Sequence, residues 1–277
     1  MKKYLLMAAL VAATSVQAAD FYPTASLKSP HGTIIRNIVD THTDGDWTAK
    51  QTGGCGESVT LFESTSDPVA IIQSNSAYRN SLRTKQNCVI NYDDARIVFQ
   101  ARMPYQLCHK PGLDLSAQGG KRLSFGNTKH NPQIDQLADM NSNKYGIEFY
   151  TVTHNSSNHI AQSIVNGDID VGFLAIGNAR KVMESGAMEC SYSTGSFNFG
   201  EKPLADLIGE NKTSSFTLSM TAWVRNMSEA QVNKMINDLK PLVAKLEAQD
   251  LVNVKAGPTQ ADVAEFVAES KALEFTN

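Results

Sequence analysis

The chain has 277 residues, 42% of them hydrophobic, and a formal charge of −3. That length supports two domains or one large one. A mildly acidic chain with no basic block is a poor match for nucleic acid or for an anionic membrane surface.

The N-terminus reads as a secretory signal peptide, residues 1–18. Lys2 and Lys3 form a positive start, residues 4–13 are apolar, and Val16-Gln17-Ala18 gives the small-x-small pattern of a cleavage site. The apolar run is about half of what a bilayer span needs. Cleavage is expected near Ala18, with a cut after Ala19 almost as good. No Cys follows to carry a lipid. No later segment approaches a membrane span, so the mature chain is expected to be soluble and exported.

Next come a β-prone stretch at 25–28, a break at Ser29-Pro30-His31-Gly32-Thr33, and a helical apolar pattern at 34–39. This order places Gly32 and Thr33 at a helix N-terminus, where free N–H groups attract anions. A second unit holds the glycine-rich turn 53–58 and a buried-strand candidate at 69–72. The strand leads into Gln73-Ser74-Asn75-Ser76-Ala77, a cluster of small polar groups. The glycine turn matches neither the dinucleotide nor the P-loop fingerprint, and no nucleotide is expected.

The third unit predicts a strand at 121–125, a loop at 126–132 and a helix at 133–140. A strand at 147–152, a loop at 153–157 and a helix at 158–166 follow. Gly167 closes that helix, and a strand runs over 168–175. This is β–α–β with short connections, the unit of a parallel sheet. A later strand is expected at 216–224. Ser228 and Gln231 form a capping box, Pro241 is expected to open a second helix, and Thr259 caps a last one.

Four polar loops, at His31–Thr33, Ser74–Ala77, Gly126–Thr128 and His154–Ser157, follow strands and precede helices. Ligands of open α/β sheets sit at such places. Rich in Ser, Thr, Asn and Gly and nearly free of charge, these loops suit holding a carboxylate by hydrogen bonds and helix dipoles. Catalysis is less well supported. No G-x-S-x-G or H-E-x-x-H occurs; His31, His109, His130, His154 and His159 could supply a base and Cys55 a nucleophile, with His154 or Cys55 the candidate for an exported enzyme. Asp168 and Asp170 read as solvent or sheet-edge carboxylates. The four cysteines, Cys55, Cys88, Cys108 and Cys190, suggest disulfides in an exported chain, with three pairings open. No CxxC and no zinc-finger spacing is present, so neither metal nor cofactor is expected.

With these loops placed, the chain resembles the periplasmic solute-binding proteins of tripartite tricarboxylate transporters, the Bug or TctC family. The closest part is Arg122 to Asp170, where Gly167-Asp168-Ile169-Asp170-Val171 matches the family's Gly-x-x-Asp-Val. The helix pair at 228–248 and the Ala256-Gly257-Pro258-Thr259 segment also fit. The resemblance implies an α/β, type II-like periplasmic binding protein with a ligand cleft between two lobes. Lobe one would be 19–103 plus 221–277, and lobe two 104–220. It implies carboxylate contacts from His31, Gly32 and Thr33 and from Asn155, Ser156 and Ser157. Ser74, Asn75, Ser76, Asn127, Thr128, Ile176 and Gly177 match positions that face the cleft. The family's first loop is usually longer and ends in an Asp, and its second is usually Pro-Tyr-Lys-Gly. Here they are Pro30-His31-Gly32-Thr33 and Thr153-His154-Asn155-Ser156, so the resemblance does not name the ligand.

Two lobes that close imply bridges within each lobe, Cys55–Cys88 and Cys108–Cys190, because a bridge between lobes would hinder closing. The expected protein is a periplasmic monomer, not an enzyme. It would capture a small organic acid by burial rather than ion pairing and deliver it to membrane transporter subunits. A ligand-sensing accessory protein for a signalling partner is the alternative, and an exported enzyme comes third.

Overall fold

The computed structural model describes residues 19–42, 47–128, 144–195, 200–208, 217–249 and 251–272. The expected signal peptide and the expected helix at 133–140 lie outside the described residues. Two six-stranded mixed sheets carry the fold. The first is built from β1 (Ala19–Pro23), β2 (Trp47–Ala49), β3 (Val69–Ser74), β4 (Arg96–Met103), β11 (Leu218–Arg225) and β12 (Val252–Ala256). Its strand order is β12-β4-β11-β3-β1-β2. The second is built from β5 (Tyr105–His109), β6 (Arg122–Thr128), β7 (Glu148–His154), β8 (Val171–Ala175), β9 (Glu189–Ser193) and β10 (Lys202–Pro203). Its order is β10-β9-β5-β8-β6-β7.

Among the described residues eight helices flank these sheets: α1 (Pro30–Thr41), α2 (Cys55–Ser64), α3 (Ala77–Thr84), α4 (Ser157–Asn166), α5 (Ile176–Glu184), α6 (Ala205–Ile208), α7 (Glu229–Glu247) and α8 (Gln260–Ala272). None of them is long and apolar enough to cross a membrane. One cluster of buried apolar residues runs through both sheets, from Phe21 and Ile34 to Phe125 and Phe173. Two smaller clusters fill the outer faces. One packs α4 and α5 on the second sheet, and the other packs α2 and α8 on the first.

The chain passes from β4 to β5, hence from one sheet to the other, through the single residue Pro104. The Pro104 carbonyl accepts the amide of Ile176, the first residue of α5, at 3.1 Å. Disulfides join Cys55 to Cys88 beside the first sheet and Cys108 to Cys190 on β5 and β9 of the second. These are the pairings the two-lobed resemblance implies.

Several elements differ from their sequence-based expectation. The first strand is Ala19–Pro23, not 25–28, because it is the earlier residues that pair with β3, Asp20 opposite Val69. Residues 126–128 stay in β6 rather than forming a loop, since they pair with 152–154 of β7. Gly126 suits that strand: a Cβ there would sit 2.5 Å from the Ile169 side chain. Strand β8 starts only at Val171. Asp170 instead accepts hydrogen bonds from the Ser124 amide at 2.7 Å and its hydroxyl at 2.6 Å, clipping the segment to β6.

Pro241 does not open a new helix; it lies inside α7. The ring removes the bond to the Asn237 carbonyl, but both residues are exposed, so water can serve that carbonyl. The buried stripe of Val232, Met235, Leu239, Leu242 and Leu246 runs on through the proline and keeps the helix whole. The capping box is as expected, with Ser228 Oγ accepting from the Gln231 amide at 3.3 Å.

Candidate functional site

A cavity of about 480 Å³ lies between the two sheets' halves of the molecule. From the first half it is bordered by the loop 24–29, the first turn of α1, and Ser74, Ser76 and Asn80 around the start of α3. From the second it is bordered by Tyr105, Thr128, Ala175, Asn178 and residues 155–158 at the start of α4. Strand ends and helix starts from both halves therefore converge, as α/β ligand sites require.

The α1 side is held by hydrogen bonds. Thr24 Oγ1 donates to the Ile72 carbonyl at 2.9 Å, the Leu27 amide donates to Gln51 at 2.7 Å, and Arg36 donates to the Leu27 carbonyl at 2.7 Å. Gly32 lets this loop lie on the helix, since a Cβ at that position would be 1.9 Å from the Leu27 oxygen. Ser29 occupies the N-cap position but makes no side-chain cap bond, and its hydroxyl is buried without a partner. Next to it, His31 is 6% exposed and neither ring nitrogen has a hydrogen-bond partner. Burial pulls its pKa down to about 4 from an ordinary 6.5. At neutral pH the ring is uncharged and carries one N–H donor and one acceptor nitrogen, both buried, in a residue that borders the cavity.

Other polar side chains at the cavity bond to one another or to the helix start they sit on. Ser156 caps the helix, accepting from the His159 amide at 3.3 Å. Asn178 on α5 donates to Asn158 at 2.7 Å and ties two helix starts together. Ser74 and Ser76 share a hydrogen bond of 2.7 Å. Among the described lining residues Lys28 carries the one formal charge, and no carboxylate is present. A net-positive, hydroxyl-rich cavity at helix N-termini favours an anion.

Of the sequence-predicted residues, His31, Ser74, Ser76, Thr128, Asn155, Ser156 and Ser157 border this cavity. Thr33, Ile176 and Gly177 border a neighbouring one of about 310 Å³. Three others serve elsewhere. Gly32 packs on Leu27. Asn75 is buried and donates to the Thr217 carbonyl at 2.9 Å. Asn127 is buried in β6. Lys28, Asn80, Asn158 and Asn178 also border it and lie within four residues of predicted positions, whereas Tyr105 is brought in by tertiary folding alone. His154 has both ring nitrogens engaged, by the Val152 carbonyl at 2.9 Å and Ser163 Oγ at 3.0 Å, and Cys55 is bridged.

A cavity of about 490 Å³ beside β9 is bordered by Asp114, Glu189 and Lys202, all from the second half. Its two carboxylates make it the poorer place for an anion. Among the described residues no group of three or more His, Cys, Asp or Glu side chains could hold a metal ion.

No protein-family profile matches the sequence, and no curated protein matches it. Solved structures do. MatC from Rhodopseudomonas palustris with bound malate aligns at a TM-score of 0.63 and 15% identity, covering 93% of this chain and 97% of its own. An R. palustris protein with adipate aligns at 0.63 and 13%, covering 94% and 96%. A TctC solute-binding protein from Polaromonas, without ligand, aligns at 0.63 and 11%, covering 94% and 98%. The fold is that of the TctC-type periplasmic solute-binding proteins. At least 93% of this chain takes part in each of these matches, so they take in both sheets. The low identity leaves the chemistry to be argued from the residues above.

Proposed function

We propose that this is a periplasmic binding protein that captures a small organic carboxylate between its lobes and delivers it to a tripartite tricarboxylate-type transporter. The lobes would be 19–103 plus 221–277 and 104–220, after export directed by residues 1–18. The observation that carries the reading is His31: a buried ring with two unpartnered nitrogens, in the uncapped first turn of α1, bordering an acid-free cavity. Leaving buried polar groups without partners is costly, and a ligand that supplies partners recovers that cost. Malate and adipate in proteins of the same fold support the carboxylate class. A ligand touching both halves binds the closed form better and so shifts the open–closed equilibrium.

The test is thermal unfolding of ligand-stripped protein against a panel of organic acids, neutral sugars and amines. At about 100 times its Kd the right acid adds about 2.7 kcal/mol of stability, a shift of several degrees. The His31→Ala variant is expected to lose most of that shift. Stabilisation by sugars or amines alone would overturn the proposal.

A further inference from the structure

The second cavity has a different character from the first. The two share Lys28, Ser29, Pro30 and Asn178, so they meet at the start of α1. Beyond that shared wall, the second is bordered by Ile34, Met103, Ile176, Leu246 and Leu251. Four of these five are buried core residues, so the wall is packed and not made of mobile tips. Thr33 and Gln249 are its other polar neighbours, and among the described residues it holds no Arg or His of its own. A second carboxylate placed there would give up water for an apolar wall, which is costly, whereas a hydrocarbon chain would gain. Gly177 adds to the space. A Cβ on it would meet nothing within 4 Å, and its backbone is not left-handed.

We propose that the ligand is an amphipathic monocarboxylic acid, its head among His31 and the hydroxyls of the larger cavity and its apolar tail in the adjoining chamber. The inference rests on the carboxylate reading above and narrows it from organic acids in general to acids with one polar end. The neutral His31 ring fits this assignment. It gives the head one N–H donor, while Lys28 at the junction supplies the single formal charge that a monoanion needs.

The experiment is a calorimetric titration of stripped protein with straight-chain monocarboxylates from acetate to octanoate, alongside succinate and adipate. Each methylene that enters the chamber is expected to tighten binding about fourfold. The diacids are expected to bind more weakly than monoacids of equal carbon number. In the Gly177→Leu variant, checked for a cooperative melt, the gain with chain length is expected to collapse, because the new side chain fills the tail space. Diacid binding with a flat monoacid series would overturn this inference and leave the carboxylate reading standing. Failure of every acid in both series would overturn both. A length dependence that survives in Gly177→Leu would place the tail elsewhere and also overturn it.

Discussion

The two halves of the cleft meet the cavity with helix starts of opposite kinds. On the α4 side Ser156 accepts the His159 amide and Asn178 is bonded to Asn158, so these helix starts are tied by their own side chains. On the α1 side Ser29 makes no cap bond, its hydroxyl is unpartnered, and the His31 ring beside it is buried without a hydrogen bond. A helix start that satisfies itself is built for stability. One that holds its donors and acceptors unused carries a cost that only an outside group can relieve. On the proposed carboxylate reading, that difference puts recognition mainly in the first half.

The largest expected effect comes from the ring. The folded chain keeps His31 neutral down to about pH 4, while the unfolded chain protonates it near 6.5. Below pH 6.5 the unfolded state therefore binds more protons, and stability falls with pH until about 4, by on the order of 3 kcal/mol in all. Glu269 acts in the other direction. Burial raises it to about 7 from 4.5 against the pull of Arg102, so its contribution is present at low pH and fades as pH rises through 7. Comparing denaturant unfolding of wild type and His31→Gln between pH 4 and 7 isolates the histidine, since Glu269 is common to both. Equal slopes in the two proteins would break the contrast between the helix starts.

Smaller, but sharper, is the pair of glycines. Gly32→Ala forces a methyl group into the Leu27 backbone and is expected to cost about 2–3 kcal/mol. Gly177→Ala meets open space within α5 and is expected to be neutral or to stabilise by about 0.5–1 kcal/mol. Midpoints of urea unfolding decide both. The smallest effect separates the two serines: Ser156→Ala loses a cap and should cost about 1 kcal/mol, while Ser29→Ala should cost close to nothing. A Ser29→Ala penalty equal to that of Ser156→Ala would mean that both helix starts are capped alike.

Local signals were legible in the residues themselves. Gly167 ends α4 in a left-handed turn, with φ of 83°, and the Ser228–Gln231 box opens α7. Both features depend on residues within one helical turn, which is why spacing alone reveals them. Where a distant partner decides, the sequence misleads. Residues 126–128 look like a loop until β7 pairs with them, and Pro241 looks like a helix start until the buried stripe of α7 is seen to continue. The site divides in the same way. Polar loops after strands marked His31, Ser76 and Ser156, whereas Tyr105 follows no motif and reaches the cavity because the chain crosses between the sheets beside it.

That crossing has a further consequence, for the tolerance of the chain to change in length. With Pro104 alone between β4 and β5, consecutive Cα steps of about 3.8 Å leave no slack to absorb an extra residue. An insertion there would push β5 one position along, between β8 and β9, and turn Leu107 and Cys108 to the opposite faces of the sheet. Cys108 would then point away from Cys190. The surface loops of this protein can lengthen at little cost, but the passage at Pro104 is a place where the count of residues is itself part of the structure.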